Sequence, residues 1–453
     1  MTAPSVTPFS CSMSPEEVFR RLSTHEGVFF LDSALPGVLD NNWSILGCSP
    51  DHLQERRMPH PSDPFEGLPL PSFQPLEPSL PTIPPHIPVL APLNLTFFGY
   101  GLRTQIEPRL RERHPANVSL DLPDLYSTYH EEVLLYEHAT SRWYRSGRSR
   151  GDRWWEERLS CNPPSFEPLQ FHGPLHSVPD RTQHMANVKR ALDFIGKGDI
   201  YQVNLSRQIL VEWSGHPADM YLQFRHQNPA PFAGYFDLGD GRAILSCSPE
   251  RFIQVENRSV RTFPIKGTRP RGSTPETDRQ LARELIESEK DRAELAMIVD
   301  VLRNDLGRVC SRGSIQVTDH AALRTFPSVH HLVSTVTGTL PEGVSPTELI
   351  RSAFPGGSIT GAPKIRAMEI IDELESMRRG PYTGSIAWFD SRGNMDSNIL
   401  IRTAIVHDSN LAFPVGGGIV AESDPQDEWE ETVAKTGGIE QVLSTPIHPE
   451  ERI

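Results

Sequence analysis

Residues 233–255 read AGYFDLGDGRAILSCSPERFIQV, and this stretch decides the fold class. Three strand-like runs, at 233–236, 243–246 and 252–255, follow one another with only short connections. Parallel strands need a crossover of about a dozen or more residues, so these neighbours are predicted to pair as antiparallel hairpins. The stretch therefore favours an α+β fold with antiparallel β-sheets.

Strands and helices alternate over much of the remaining chain. Further strands are predicted at 27–33, 93–100, 201–205, 383–389 and 399–406. Helical periodicity predicts helices at 183–197, 276–302, 346–353, from 363 onward and at 426–437. We expect Pro363 in the first turn of its helix, and Gly437-Gly438 to end the last helix.

A proline-rich stretch divides the N-terminal part of the chain. Residues 59–92 contain twelve prolines, so no helix or central strand is expected to run through them. We predict an extended excursion at the surface. A loop insertion is favoured over the alternative, a segment that binds a partner. From about residue 180 the character of the sequence changes.

The composition excludes several classes of partner. The formal net charge of −14 disfavours nucleic acid and anionic membranes as partners, so an anionic substrate would need a local basic pocket. Five scattered cysteines without a CxxC motif argue against a disulfide framework or a zinc site. No stretch has 18 consecutive apolar residues and the first residues do not form a signal peptide, so we predict a cytoplasmic protein.

Two predicted helices carry acidic residues on one face each. The first carries Glu287, Asp291 and Glu294, and the second carries Glu428, Glu431 and Lys435. Spacings of three and four residues place each set on one helix face. Two solvated acidic surfaces would give the same pattern, but oxygen ligands from two helices could also hold Mg²⁺ beside a substrate carboxylate.

A lysine and a glutamate are the candidate catalytic pair. Lys266 lies in PIKGT at 264–268, where proline and glycine predict a short turn that aims the amine. Glu250 lies sixteen residues upstream in Ser-Pro-Glu. When an amine lies beside a carboxylic acid, the amine can act as the nucleophile and the carboxylic acid as the general acid. The alternative interpretation is a lysine exposed to solvent on a turn.

Other motifs could bind an anion. The loop FPGGSITGAPK at 354–364 includes the hydroxyls of Ser358 and Thr360 and is not a Walker A loop, which disfavours nucleotides. Three consecutive glycines at 416–418 would let a ligand approach the main chain. Arg402 in a predicted strand needs an anion, either a buried carboxylate side chain or a substrate carboxylate. His331 in HHLVS is more often a structural residue than a catalyst.

The order of these motifs resembles that of chorismate-utilising enzymes. The shared motifs are SPERF, PIKGT, KDRAE-x(3)-IVD-x(2)-RNDLGRV, HHLVS, FPGGSITGAPK, RRGPYTGSIAWFD, NILIRTAIV, GGGIVAESDP and EWEETVAK. Within the family, the chain is similar to component I of the aminodeoxychorismate and anthranilate synthases. Residues 181–442 correspond to the chorismate-binding catalytic domain and 443–453 to a C-terminal tail. Residues 1–180, with the proline-rich insertion at 59–92, match the N-terminal region more loosely.

The resemblance implies a fold, a metal and a substrate site. The fold would have large antiparallel β-sheets packed face to face, with helices on the outside. Mg²⁺ would lie between Glu294 and Glu431, with Asp291 and Glu428 reached through water. The substrate-binding residues would be Ser358, Thr360, Gly361, His331, Tyr382, Arg402, Gly416, Gly417, Gly418 and Lys435.

Two positions carry the specificity that the resemblance implies. Isochorismate and salicylate synthases have a water-activating lysine where this chain has Gln202, and glutamine cannot act as a base. Anthranilate synthases typically have PIAGT where this chain has Lys266. The implied reaction is addition of the Lys266 amine at C2 of chorismate while Glu250 protonates the departing C4 hydroxyl. Ammonia then attacks C4 to give 4-amino-4-deoxychorismate, for 4-aminobenzoate and folate synthesis.

Ammonia is expected from a separate glutamine amidotransferase subunit, because no cysteine here lies in a GxCxGxQ motif. The sequence ends at Ile453, so no fused lyase domain is expected, and we predict release of aminodeoxychorismate and not of 4-aminobenzoate. Two alternatives stay open at this point. One is an anthranilate-forming or other chorismate enzyme, and the other is a catalytically silent subunit that captures an aromatic metabolite.

Overall fold

A computed structural model describes residues 5–39, 41–58, 63, 65–66, 68, 87–110, 120–147, 150–326 and 329–444. Across these ranges, strands and helices alternate along the chain, and each strand pairs with antiparallel neighbours. The predicted α+β class is confirmed. No helix in these ranges is long and apolar enough to cross a membrane.

The strands are β1 Ser5–Phe9, β2 Phe29–Asp32, β3 Trp43–Gly47, β4 His52–Arg56, β5 Leu93–Phe98, β6 Leu125–His130, β7 Glu132–Glu137, β8 Arg142–Gly147, β9 Gln170–Val178, β10 Gln202–Ser214, β11 Phe232–Gly239, β12 Arg242–Ser248, β13 Arg251–Glu256, β14 Ser259–Thr262, β15 Ile265–Pro270, β16 Gln316–Thr325, β17 Val329–Thr339, β18 Gly361–Ala362, β19 Ser385–Asp390, β20 Met395–Asn398, β21 Thr403–His407 and β22 Asn410–Ile419.

The helices are α1 Pro15–Leu22, α2 Arg103–Ile106, α3 Gly151–Leu159, α4 Arg181–Gly196, α5 Pro217–Gln227, α6 Pro275–Glu287, α7 Glu289–Gly307, α8 Pro346–Ala353, α9 Lys364–Leu374 and α10 Pro425–Ser444.

The strands form two large sheets. The first has the order β1-β8-β7-β3-β2-β11-β12-β21-β22-β10-β18, and β9 also pairs with β10. The second has the order β15-β17-β14-β13-β20-β19-β5-β6-β4, and β16 also pairs with β17. Both sheets contain strands from before and after residue 180, so the N-terminal region and the following region share both sheets.

The two sheets pack face to face with helices outside, as predicted. Between them, Phe29 and Ile244 of the first sheet meet Leu95 and Ile386 of the second in one apolar cluster. Residues of α1, α3, α5 and α10 bury the other face of the first sheet. Residues of α6, α7 and α8 bury the other face of the second sheet. Helices α4 and α9 pack against β10.

The single long helix predicted at 276–302 is wrong, because it is two helices. Ser288 separates α6 from α7 with an extended backbone (φ −66°, ψ 105°), and its side chain caps α7 by accepting from the Asp291 N–H. A serine that caps a helix leaves the helical conformation while the apolar periodicity continues on both sides. Glu287 therefore lies on α6, and only Asp291 and Glu294 share α7.

The predicted end of the last helix is also wrong. Helix α10 continues through Gly437-Gly438. A Cβ on Gly438 would lie 1.9 Å from Oδ1 of Asn228, so this glycine permits close packing next to α5. In the strand predicted at 399–406, regular pairing starts only at Thr403, because Arg402 has a left-handed backbone (φ 49°).

Much of the proline-rich prediction at 59–92 lies outside the described residues. At its C-terminal end, however, Ile87, Val89 and Leu90 are buried among the side chains of the core. The segment directly before β5 therefore packs into the fold. The predicted surface position does not hold for these residues.

Candidate active site

Lys266 lies in a strand and not in the predicted turn. It belongs to β15, where the pairing with β17 shifts between Lys266 and Thr268. Gly267 occupies this bulge with φ 76°, and a Cβ there would lie 2.9 Å from Cβ of Asp291. The bulge therefore fixes Lys266 close to α7. Its Nζ lies 3.4 Å from Oε2 of Glu294.

The two residues predicted to set specificity lie side by side. The position that a Cβ of Gly418 would take is 2.8 Å from Nε2 of Gln202 and 3.3 Å from Nζ of Lys266. Gln202 is completely buried at the start of β10. Neither polar atom of its carboxamide has a hydrogen-bond partner among the described residues. A buried amide without partners is costly, which is typical of a group that a ligand satisfies.

Glu250 has the environment of a general acid. It lies between β12 and β13 with 8% of its surface exposed. Burial raises the pKa of its carboxyl group to about 7, although the Ser358 hydroxyl and the Lys266 charge act in the opposite direction. Ser358 donates a hydrogen bond of 2.8 Å to Oε1 of Glu250. A carboxyl group with this pKa can give up a proton near neutral pH.

The four predicted metal ligands form two pairs. On α7, Asp291 lies 3.3 Å from Arg269, and Glu294 contacts Lys266. On α10, Glu431 accepts a hydrogen bond of 2.6 Å from Lys435. Desolvation would raise the pKa of Glu431, but the charge and hydrogen bond of Lys435, together with the charges of Lys266 and Lys290, outweigh it, and the pKa lies below its ordinary value.

The donor set on α10 fits a hard cation. Glu428 accepts from the Ser423 hydroxyl through Oε1, whereas its Oε2 is buried without a partner among the described residues. Burial raises the pKa of Glu428. The position of a Gly417 Cβ is 2.9 Å from Oε2 of Glu428 and 3.7 Å from Oε1 of Glu431. Both carboxylate oxygens therefore lie near the main chain of Gly417, where no side chain separates them from it. Carboxylate oxygens of this kind are the ligands that Mg²⁺ prefers.

The two pairs do not close into a single cluster. Within the described residues, no three side chains of His, Cys, Asp or Glu converge as a metal site. Lys266 connects the pairs, because it contacts Glu294 and its charge also lowers the pKa of Glu431. The two acidic helices thus face one cleft with the lysine between them.

Arg402 and His331 are close enough to interact electrostatically. The Arg402 guanidinium makes no hydrogen bond or ion pair with any residue that the structure describes. The residue is exposed to solvent, and desolvation by the surrounding protein lowers its pKa. Burial also lowers the pKa of His331, and the Arg402 charge acts in the same direction. Nδ1 of His331 lies 3.2 Å from the Gly267 carbonyl, which leaves Nε2 without a described partner. An unpaired guanidinium can bind a carboxylate in two parallel hydrogen bonds.

The loop at 354–364 is linked to the site residues by hydrogen bonds and by pairing with β10. The Thr360 hydroxyl donates to the Gly356 carbonyl at 2.9 Å, and the Ser358 hydroxyl is engaged by Glu250. A Cβ on Gly361 would lie 2.1 Å from the carbonyl oxygen of Gln202, so glycine lets this loop pair directly with β10. Both hydroxyl protons are therefore used within the protein, and substrate binding by Ser358 and Thr360 stays a prediction.

Tyr382 and Lys435 meet at Gly416. The Tyr382 hydroxyl oxygen lies 2.8 Å from the position of a Gly416 Cβ. Lys435 donates a hydrogen bond of 2.9 Å to the Gly416 carbonyl. Because Gly416 has no side chain, the Tyr382 hydroxyl and the Lys435 ammonium group both lie close to its main chain. Two such hydrogen-bond donors suit an anionic ligand.

An ion pair that the sequence analysis missed supports these segments. Glu375 and Arg379 are both buried, and Nη2 of Arg379 lies 2.7 Å from Oε1 of Glu375. Arg379 also donates to the carbonyls of Asn204 and Ile359. The sequence signal was weak, because Arg379 is one of two adjacent arginines in RRGPYTG and Glu375 lies just before that motif, and such charged residues are usually solvent-exposed.

A cavity of about 430 Å³ lies elsewhere, between the two sheets. Its lining includes Trp43, Trp388 and the Arg251–Asp396 pair, and none of the predicted site residues. The candidate site is instead the cleft around Lys266.

Comparisons with known proteins show the family of the chain. The family model for chorismate binding enzymes matches residues 72–441. Aminodeoxychorismate synthase component 1 of Salmonella typhimurium is 41% identical over 79% of this chain and 76% of that protein. Anthranilate synthase component 1 of Pseudomonas putida is 37% identical over 75% of this chain and 72% of that protein. The crystal structure of anthranilate synthase component I from Streptococcus pneumoniae has a TM-score of 0.75 at 28% identity and covers 88% of this chain and 92% of that one. The chain belongs to the chorismate binding enzyme family.

Proposed function

We propose that this enzyme converts chorismate and ammonia to 4-amino-4-deoxychorismate and water. The observation that supports this most is the Lys266 amine, which lies next to Gln202 and within the electrostatic reach of Glu250. A nucleophile and an acid in one cleft suit substitution at a ring carbon that must lose a hydroxyl group. The similarity to aminodeoxychorismate synthase component 1 points the same way.

The chemistry divides between two residues. As the neutral amine, Lys266 forms a bond from its nitrogen to C2, the ring double bonds shift, and the C4–O bond breaks. Glu250 gives its proton to the departing hydroxyl group, which leaves as water, and the Glu250 carboxylate takes up the proton that the newly bonded nitrogen loses. Ammonia then forms a bond to C4, the double bonds shift back and the C2–N bond breaks. Glu250 protonates the leaving Lys266 nitrogen and takes the proton from the new C4 ammonium, so Lys266 is released as the neutral amine. Gln202 cannot remove a proton from water, so hydroxylation at C2 is disfavoured.

The carboxylates of the substrate would be bound around these groups. The unpaired Arg402 and the Lys435 ammonium offer positive charge, and Tyr382 offers a hydroxyl next to Gly416. Glu294 and Glu431 would bind Mg²⁺ directly, and Asp291 and Glu428 would contact it through water. The ion would neutralise the charge of a substrate carboxylate. Without a cation, these four acidic residues would repel a dianion.

A separate glutaminase would supply the ammonia. The relatives named component 1 are consistent with a second component. The isolated chain is then expected to use ammonium salts and not glutamine. Product formation from glutamine alone would exclude a separate supplier.

The direct test is incubation with chorismate, Mg²⁺ and ammonium, followed by mass analysis of the products. Aminodeoxychorismate without pyruvate supports the proposal, whereas anthranilate with pyruvate identifies the second candidate, which the Pseudomonas putida relative favours. Without ammonium, intact mass should show a chorismate-derived adduct on the wild type and none on Lys266→Ala. An adduct on both proteins would remove Lys266 from the mechanism.

A further inference from the structure

The carboxylates proposed to bind Mg²⁺ directly both have basic partners. Nζ of Lys266 lies 3.4 Å from Oε2 of Glu294, and Nζ of Lys435 lies 2.6 Å from Oε1 of Glu431. A cation bound to these carboxylates would repel an ammonium group at such a distance. Metal binding between the two helices therefore requires at least one of the lysines to move.

The two lysines are not held equally. Lys435 lies four residues from Glu431 on α10 and also donates a hydrogen bond of 2.9 Å to the Gly416 carbonyl. The contact between Lys266 and Glu294 is longer than a normal hydrogen bond. The Lys266 charge also lowers the pKa of Glu431, so this lysine lies within electrostatic reach of both proposed ligands. Lys266 is therefore the group that a cation would displace more easily.

A second acceptor for Lys266 is available on β10. The position of a Gly418 Cβ is 3.3 Å from Nζ of Lys266 and 2.8 Å from Nε2 of Gln202, so no side chain separates the two groups. Gln202 is completely buried, and neither its Oε1 nor its Nε2 has a partner among the described residues. Its carboxamide can rotate about the last side-chain bond without losing a hydrogen bond, because that torsion is broad. The rotation presents Oε1, an acceptor that an N–H of the lysine satisfies.

We propose that the Lys266 ammonium group and a divalent cation compete for Glu294, and that the lysine contacts the Gln202 carboxamide when the cation is bound. An ammonium group that stays paired on α7 is not free to reach a ring carbon. The competition therefore makes metal binding a condition for release of the nucleophile. It also gives the buried carboxamide of Gln202 a partner. This inference rests on the proposed function, because it takes Glu294 and Glu431 as ligands of Mg²⁺.

The test measures the dissociation constant of Mg²⁺ by calorimetry, on the full chain and without chorismate. Lys266→Met should bind Mg²⁺ at least about 10-fold more tightly than the wild type, because Glu294 then has no competing ammonium group. Gln202→Leu should bind Mg²⁺ about 3- to 10-fold more weakly, because the displaced lysine loses its second acceptor. In the double variant this loss should disappear, because no lysine is displaced. Lys266→Gln replaces Lys266→Met if melting curves show that the latter is unfolded.

Lys290→Met is the matched control. Lys290 is exposed on α7 and its charge also lowers the pKa of Glu431, but it makes no ion pair with Glu294 in the part of the chain that the structure describes. Its loss should tighten Mg²⁺ binding by no more than about 3-fold. Equal tightening in Lys290→Met and Lys266→Met would overturn the inference, as would a wild-type affinity in Lys266→Met. An effect of Gln202→Leu that persists in the double variant would overturn it as well. The absence of Mg²⁺ binding in all of these proteins would instead refute the proposed metal site, and with it the inference.

Discussion

Replacing Glu250 by glutamine should abolish turnover and stabilise the fold, by an amount that depends on pH. Burial raises the pKa of this carboxyl group from its ordinary value of 4.5 to about 7. The folded protein therefore holds the proton more tightly than the unfolded chain between these values. The free energy of unfolding falls as pH rises through this window, by up to ~3 kcal/mol in all. Glutamine keeps the shape of the side chain and cannot ionise, so it removes this pH-dependent loss.

The assay is urea unfolding of the wild type and of Glu250→Gln at pH 5 and pH 8. The stabilisation should be about 2–3 kcal/mol larger at pH 8, where the wild-type carboxylate is charged in both states. Glu212→Gln is the control, because Glu212 is exposed on β10. An equal effect of Glu250→Gln at both pH values would refute the reasoning, and so would a variant that is less stable than the wild type at pH 8.

Three further predictions concern the same cleft. Lys266→Ala should reduce amination by at least about 100-fold while equilibrium binding of chorismate changes little, and normal turnover would remove the covalent role. Arg402→Gln should raise the KM for chorismate by about 10- to 100-fold with little change in melting temperature, because the guanidinium has no described protein partner to lose; an unchanged KM would contradict substrate binding by this residue. Chelation should abolish activity and added Mg²⁺ should restore it, and Mg²⁺ should raise the melting temperature of the wild type but not of Glu294→Gln; an equal rise in both proteins would place the ion elsewhere.

The sequence predicted those parts of the fold that depend on local signals. The predicted hairpin at 233–246 became β11 and β12, which pair in the first sheet. The predicted pairing of 243–246 with 252–255 is wrong, because the chain crosses after β12 to the second sheet, where β13 pairs with β14 and β20. The break at Ser288 was not predictable from periodicity, since the apolar stripe continues through it. Gly438 was interpreted as a helix end, but its close contact with Asn228 comes from a segment about two hundred residues away. Tertiary packing overrode local preference there.

In the site, too, the sequence predicted which residues are present but not which residues they contact. The motifs supplied Glu250 and Ser358 separately, but only the fold shows that the hydroxyl of one holds the carboxyl group of the other across 108 residues. The Glu375–Arg379 pair was missed for the same reason. The pair positions neighbouring segments through hydrogen bonds to Ser206, Asn204 and Ile359, and these residues are distant from it in sequence. A charged residue in a motif indicates burial only when its partners are known.

The glycine run in β22 brings together the two distant positions that we propose to control the choice of nucleophile. Gly418 lacks the side chain that would otherwise separate Gln202 from Lys266, and the bulge at Gly267 brings the lysine to the same point. A lysine at 202 would place a second ammonium group beside Lys266, and the two cations would repel each other in a partly buried cleft. The pairing of glutamine at 202 with lysine at 266 is therefore an electrostatic requirement of this geometry. A change of nucleophile from ammonia to water would have to alter both positions together.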